Sequence, residues 1–95
     1  MSDYKLEYKI ENDIAKITFF YVKHNSQNKG IGTKALKRFI DDCKQKGIRR
    51  IEATIDKNVI QFYKKMDFTV DNTPIYETVP YGNYLQDYVK AFINI

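Results

Sequence analysis

Apolar positions along this chain follow two periods, and the change from one to the other sets out its elements. From Ile14 to Val22 the residues are β-branched and aromatic, the composition of a strand. Lys5 to Ile10 reads as its partner across a tight turn at Glu11, Asn12 and Asp13, so the chain opens with a hairpin. Then Ile31, Ala35, Leu36, Phe39, Ile40 and Cys43 recur at helical spacing, which predicts a helix over Gly30 to Lys46 ended by Gly47. A strand over Arg50 to Ile55 and a helix over Asn58 to Met66 follow, with Asp56 or Asn58 placed to cap the helix. Phe68 to Val79 reads as extended, interrupted at Asn72-Thr73-Pro74, and Pro80-Tyr81-Gly82-Asn83 is a turn signal. Beyond it the period divides, because Leu85, Tyr88, Val89, Phe92 and Ile93 also fit a helical face.

The junction of the second strand and first helix carries the candidate chemistry. Val22-Lys-His-Asn-Ser-Gln-Asn-Lys-Gly-Ile-Gly-Thr33 places Gly30 and Gly32 at a helix start, where backbone N–H groups lack intrahelical acceptors and the macrodipole is positive. Such a turn can hold an anion. The spacing excludes a Walker phosphate loop, since no Gly-Lys-Ser/Thr follows the first glycine, and the third glycine of the dinucleotide fingerprint is missing.

Gln27-Asn28-Lys29-Gly30-Ile31-Gly32 resembles the Gln/Arg-x-x-Gly-x-Gly/Ala pyrophosphate loop of the GNAT superfamily of acyl-CoA-dependent N-acetyltransferases, with Val22 where that family ends its strand. Val59-Ile-Gln-Phe-Tyr-Lys-Lys-Met-Asp-Phe68 is similar to the family's downstream Ala-Ile-x-Phe-Tyr-Glu-Lys-x-Gly-Phe helix, and the two motifs come in the family's order. The resemblance runs from Ile14 to Phe68. It implies an α+β fold, a mixed and mostly antiparallel sheet flanked by helices, with residues 1–95 forming one domain. It also places the last strand near Tyr88 to Ile93, and the strand is chosen over the helix because the sheet would otherwise have an unpaired edge in its middle.

The same resemblance implies transfer of an acetyl group from acetyl-CoA to an amine, carried by a small molecule or a protein lysine. Asn28, Lys29, Gly30, Ile31, Gly32 and Thr33 would bind the pyrophosphate, and main-chain groups of Tyr21 and Val22 the pantetheine arm. Tyr63 would protonate the departing thiolate, as a phenol with a pKa near 10 is protonated at neutral pH. The base that deprotonates the amine is left open between Glu52, His24 and water. Four departures from the family pattern stand out: Asp67 replaces the glycine before Phe68, Asp56 stands where a cofactor-contacting asparagine is common, His24 replaces a proline, and Asn28 replaces a glycine. Only Tyr4 to Ile10 precedes the loop strand, where the family has a strand and two helices covering the acceptor cleft. A truncated acceptor side suits a macromolecular substrate, and a non-catalytic CoA-binding or protein-interaction module on the same fold is the alternative.

Composition narrows this little further. With 95 residues, 43% of them hydrophobic, the chain closes one modest core. The first residues lack an apolar signal segment and no run approaches the roughly 20 apolar residues that span a bilayer, so a cytoplasmic protein is expected. One cysteine makes neither an internal disulfide nor a metal cluster, and Cys43 lies on the helix's apolar stripe as a core residue. The net charge of +4 gathers Lys34, Lys37, Arg38, Lys44, Lys46, Arg49 and Arg50, interspersed with Asp41 and Asp42, which reads as a solvated helix face rather than a nucleic-acid surface. Tyr76, Tyr81, Tyr84 and Tyr88 form an aromatic group for packing, acceptor contact or a homodimer interface.

Overall fold

The computed structural model describes residues 4–23, 30–71, 75–78, 84–85 and 88–95, the segments 75–78 and 84–85 by their backbone alone. The hairpin forms as the pattern predicts, with β1 (Tyr4–Glu11) antiparallel to β2 (Ile14–Val22) and Asn12 turning at a positive φ of 56°. Helix α1 (Ile31–Gln45) leads to β3 (Arg50–Asp56), a 3-10 turn at Lys57–Val59 and α2 (Ile60–Lys65). The chain ends with β4 (Thr69–Asp71), β5 (Ile75–Thr78), β6 (Tyr84–Leu85) and β7 (Tyr88–Asn94). The final segment is therefore the strand: it lies between β3 and β4 in a sheet ordered β1-β2-β3-β7-β4. Only β2 and β3 pair in parallel, which makes the sheet mixed and mostly antiparallel, while β5 and β6 form a separate ribbon. The expected turn at Pro80–Asn83 lies outside the described residues.

Both helices cover the same face of the sheet. Ala15 and Ile17 of β2, Ile51, Ala53 and Ile55 of β3, and Val89 and Ala91 of β7 point toward them and join Leu36, Phe39, Ile40, Cys43, Tyr63, Met66 and Phe68 in one core. Strand alternation sends Lys16, Glu52, Thr54, Lys90 and Phe92 to the other face. No described helix lies over that face.

Each helix ends by the same device. At α1, Gly47 takes a φ of 80° and Ile48 N–H donates to the Cys43 carbonyl at 2.9 Å. At α2, Asp67 takes a φ of 69° and Phe68 N–H donates to the Tyr63 carbonyl at 3.0 Å. The left-handed residue turns the chain back over the last carbonyls, and glycine suits it best because it has no Cβ to crowd the following carbonyl. This explains why the family pattern has a glycine where this chain has Asp67.

Candidate active site

The second strand breaks its own alternation halfway. Glu7 pairs with Phe19 and Tyr8 with Ile17, so Thr18 is an extra residue, a bulge. Before it, Ala15 and Ile17 face the helices; after it, Phe20 and Val22 do, and Phe19 and Tyr21 turn to the bare face, about half exposed. The pairing of β2 with β3 also stops here, at Ile17–Ala53. Beyond that point the two strands part, although β2 continues to Val22 and β3 to Asp56.

Beside the parted end of β2 lies a cleft of about 560 Å³ lined by Phe20, Tyr21, Val22, Gly30, Gly32, Thr33, Val59, Phe62 and Tyr63. Thus Tyr21, Val22, Gly30, Gly32, Thr33 and Tyr63, spread over three elements in the sequence, share one opening. Ile31 begins α1 beside it. Asn28 and Lys29, and the alternative base His24, lie outside the described residues. Phe20, Val59 and Phe62 were not among the sequence candidates; their signal was the aromatic run in β2 and the Phe-Tyr pair in α2, which reads equally well as core.

At the mouth of the cleft α1 starts without a side-chain cap and without an acidic residue in its first turn, and Gly30 precedes it at a φ of 76°. Its first N–H groups and the positive end of its dipole are directed toward the opening, the arrangement that favours an anion. The two glycines act differently. Gly30 supplies the left-handed turn, whereas a Cβ at Gly32 would stand 3.3 Å from Val22 Cγ2 and 3.7 Å from Phe62 Cζ, so Gly32 lets α1 close on β2 and α2.

Tyr63 is 4% exposed and packed edge-on between Phe62 and Phe68, with ring centroids 5.3 and 5.1 Å away. Burial pushes its phenol up to about 12, because the phenolate would lose its hydration. The hydroxyl thus keeps its proton at neutral pH, and Tyr63 is one of the residues that line the cleft. Asp56 serves the backbone, since its carboxylate accepts the Asn58 N–H at 2.8 Å and caps the 3-10 turn that starts α2. Of the two cap candidates, Asp56 is the one used. Glu52 points to the bare face, where Arg50 Nε donates to its Oε2 at 2.8 Å. Cys43 is buried, and burial pushes its thiol up, which keeps it a core group rather than a nucleophile. Tyr88 lies half-exposed on the bare face opposite Asp56, while the side chains of Tyr76, Tyr81 and Tyr84 lie outside the described residues. Among the described residues no acidic, His or Cys cluster could hold a metal, and no helix is long and apolar enough to cross a membrane.

Comparison with known proteins agrees with this arrangement. Residues 3–68 match the model of the acetyltransferase (GNAT) family. A search of curated protein sequences finds no match. Among solved structures, the ribosomal-protein-S18-alanine N-acetyltransferase of Escherichia coli superposes with a TM-score of 0.80 at 18% identity, over 98% of this chain and 61% of that one. The PaiA N-acetyltransferase of Thermoplasma acidophilum, solved in complex with coenzyme A, gives 0.75 at 22% identity, over 95% of this chain and 52% of that one. A Bacillus subtilis acetyltransferase in complex with CoA gives 0.69 at 23% identity, over 97% and 67%. The chain thus spans about three fifths of the length of the Escherichia coli enzyme, and at these identities the superpositions speak for the fold. With a family match over more than half its length, a bulged strand leading to a glycine turn and a helix that brings Tyr63 beside it, the chain belongs to the GNAT acetyltransferase family.

Proposed function

We propose that the protein transfers an acetyl group from acetyl-CoA to an amine, with the cleft between β2 and α2 taking the thioester arm. The observation that carries this reading is the cleft beside the end of β2, past the last β2–β3 pair, where the end of β2, the start of α1 and Tyr63 share one opening. The residues suit the ligand. An uncapped, acid-free helix start favours phosphate oxygens, and Phe20, Val22 and Phe62 offer an apolar wall to the pantetheine arm. The backbone from Asn28 to Thr33 would hold the pyrophosphate, and the main chain at Tyr21 and Val22 would run beside the pantetheine amides. When bound, acetyl-CoA supplies the acetyl group as an activated thioester.

Two protons then have to move. An alkylammonium, with a pKa near 10.4, must lose one before its nitrogen can attack. Glu52 is on the face from which an amine reaches the parted strands, and takes that proton directly or through water. The N–C bond forms as the C–S bond breaks, and the sulfur receives the proton held at Tyr63 Oη. Burial of Tyr63 keeps that proton in place until it is needed.

Calorimetric titration with acetyl-CoA tests the cleft. The wild-type protein is expected to bind, and folded Gly32→Val to lose binding, because the added methyls would force α1 away from Val22 and Phe62. No heat at millimolar acetyl-CoA, or a folded variant that binds as the wild type does, would sink the proposed site. Acceptors are sought by mass spectrometry after incubation with labelled acetyl-CoA, and binding without transfer to any amine would leave a non-catalytic CoA-binding module.

A further inference from the structure

On the face of the sheet away from the helices lies a second cavity, of about 490 Å³, whose polar walls include Lys16, Arg50, Glu52, Asp71 and Lys90, with Phe92 between them. At its centre Arg50 is fixed twice. Its guanidinium carbon lies 4.0 Å from the centroid of the Phe92 ring, and its Nε donates to Glu52 Oε2 at 2.8 Å. Stacking and ion pair together hold the planar group in one orientation, so little rotamer freedom is left to lose when a ligand binds. The bond to Glu52 engages one edge of the fork, and the Nη groups present the donor geometry that matches a carboxylate. Lys16 is paired with Glu11 at 2.9 Å, so the fit to an anionic group rests on the Nη donors of Arg50 rather than on the summed charge of the walls.

The strand register sets where that group would lie. Phe92 faces Glu52 across β3 and β7, and the last pair joining β2 to β3 is Ile17–Ala53, one residue further along. At about 3.3 Å of rise per residue, the stacked guanidinium and the start of the parting are about 3 to 7 Å apart along β3. An amino acid bound by its carboxylate reaches that far, since the charge-assisted bond to the guanidinium spans about 3 Å and the α-nitrogen lies about 2.5 Å beyond the carboxyl carbon.

We infer that the acceptor is an amino acid, its amine entering the parted strands from the bare face and its carboxylate held by Arg50. This rests on the acetyl-transfer reading and names its acceptor class. Arg50 is then the residue that sets specificity, Phe92 the surface that orients it, and Glu52 serves both Arg50 and the departing amine proton.

CoA release from acetyl-CoA is measured with free amino acids, with the corresponding amino-acid amides, and with a lysine peptide lacking acidic residues. The free acids are expected to exceed the amides in kcat/KM by about 10- to 100-fold, the range of a charge-assisted hydrogen bond. Arg50→Gln should raise KM for the acids by more than for the amides, so that the preference of acid over amide is lost; Arg50→Lys should restore part of the preference. Phe92→Leu, which keeps the charge and removes the surface beneath it, should weaken the preference by about threefold or more. Amides or the peptide reacting as well as the free acids overturn the inference and leave acetyl transfer standing. So do folded Arg50→Gln and Phe92→Leu proteins with the wild-type preference. A wild-type protein that binds no acetyl-CoA by calorimetry overturns both.

Discussion

The two faces of the central sheet are built from the same strands, one residue apart, and do opposite work. Ile51, Ala53 and Ile55 look into the core under α1 and α2, while Glu52 and Thr54, between them, look toward solvent with Lys90 and Phe92. One face stores the stability of the fold and, at its edge, the opening proposed to take a CoA thioester. The other stores little stability and is the side from which the acceptor is proposed to approach. Strand alternation thus lets one short segment serve both purposes without a conflict between packing and chemistry.

Stability separates the faces most sharply. Leu36 is fully buried on the sheet-facing side of α1, so Leu36→Ala should cost about 2–5 kcal/mol through lost burial and the cavity left behind. Glu52→Gln on the other face should stay within about 0.5 kcal/mol. Urea unfolding of the two variants checks this, and equal losses would break the comparison.

Catalysis should respond the other way at Tyr63, which belongs to the packed face and is proposed as the thiolate's proton donor. Tyr63→Phe should keep acetyl-CoA affinity and slow single-turnover transfer by about 10²- to 10⁴-fold. Unchanged single-turnover rates in the folded variant would assign the phenol to packing alone. Its pH behaviour gives an independent signature. With the folded phenol pushed up to about 12 from an ordinary value near 10, the unfolded chain releases this proton first as the pH rises. Tyr63 therefore lowers stability progressively between about pH 10 and 12, by up to about 1.4 kcal/mol per unit, and Tyr63→Phe should lack that slope.

The smallest expected effect is a gain. Gly47 and Asp67 close the two helices in the same left-handed conformation, and only Asp67 has a Cβ to accommodate there. Asp67→Gly should raise stability by about 0.5–1 kcal/mol, seen as a melting temperature a few degrees higher. A fall instead would mean that the Asp67 side chain contributes something the backbone geometry does not reveal.

Much of this was legible in the residues. The helical period from Ile31 to Cys43 gave α1 to within a residue at each end, with Gly30 outside the helix as its cap. The alternation in Arg50 to Ile55 gave β3, and the need for a partner in mid-sheet decided in favour of a strand at Tyr88. Three things were not legible. The start of α2 is preceded by a 3-10 turn that Asp56 caps at Asn58 N–H, a choice that two cap candidates two residues apart leave undecided. The purpose of Gly32 depends on Val22 and Phe62, which are distant in sequence. The stacking of Arg50 on Phe92 needs the β3–β7 register, which no local pattern specifies.

Thr18 has a consequence of a different order. A site that rests on chosen side chains is lost by exchanging them, but this opening rests on a count. Removing Thr18 alone would join Ile17 to Phe19 in regular alternation, leaving Phe20 and Val22 toward the helices and Phe19 and Tyr21 on the bare face, in the register they already hold against β1. It would also remove the kink at which β2 leaves β3, and the strands would be free to zip shut. The cleft beside β2 would be reshaped with every one of its lining residues still present in the chain. What is inherited at this position is a kink, and a single lost codon can erase it where many substitutions would not.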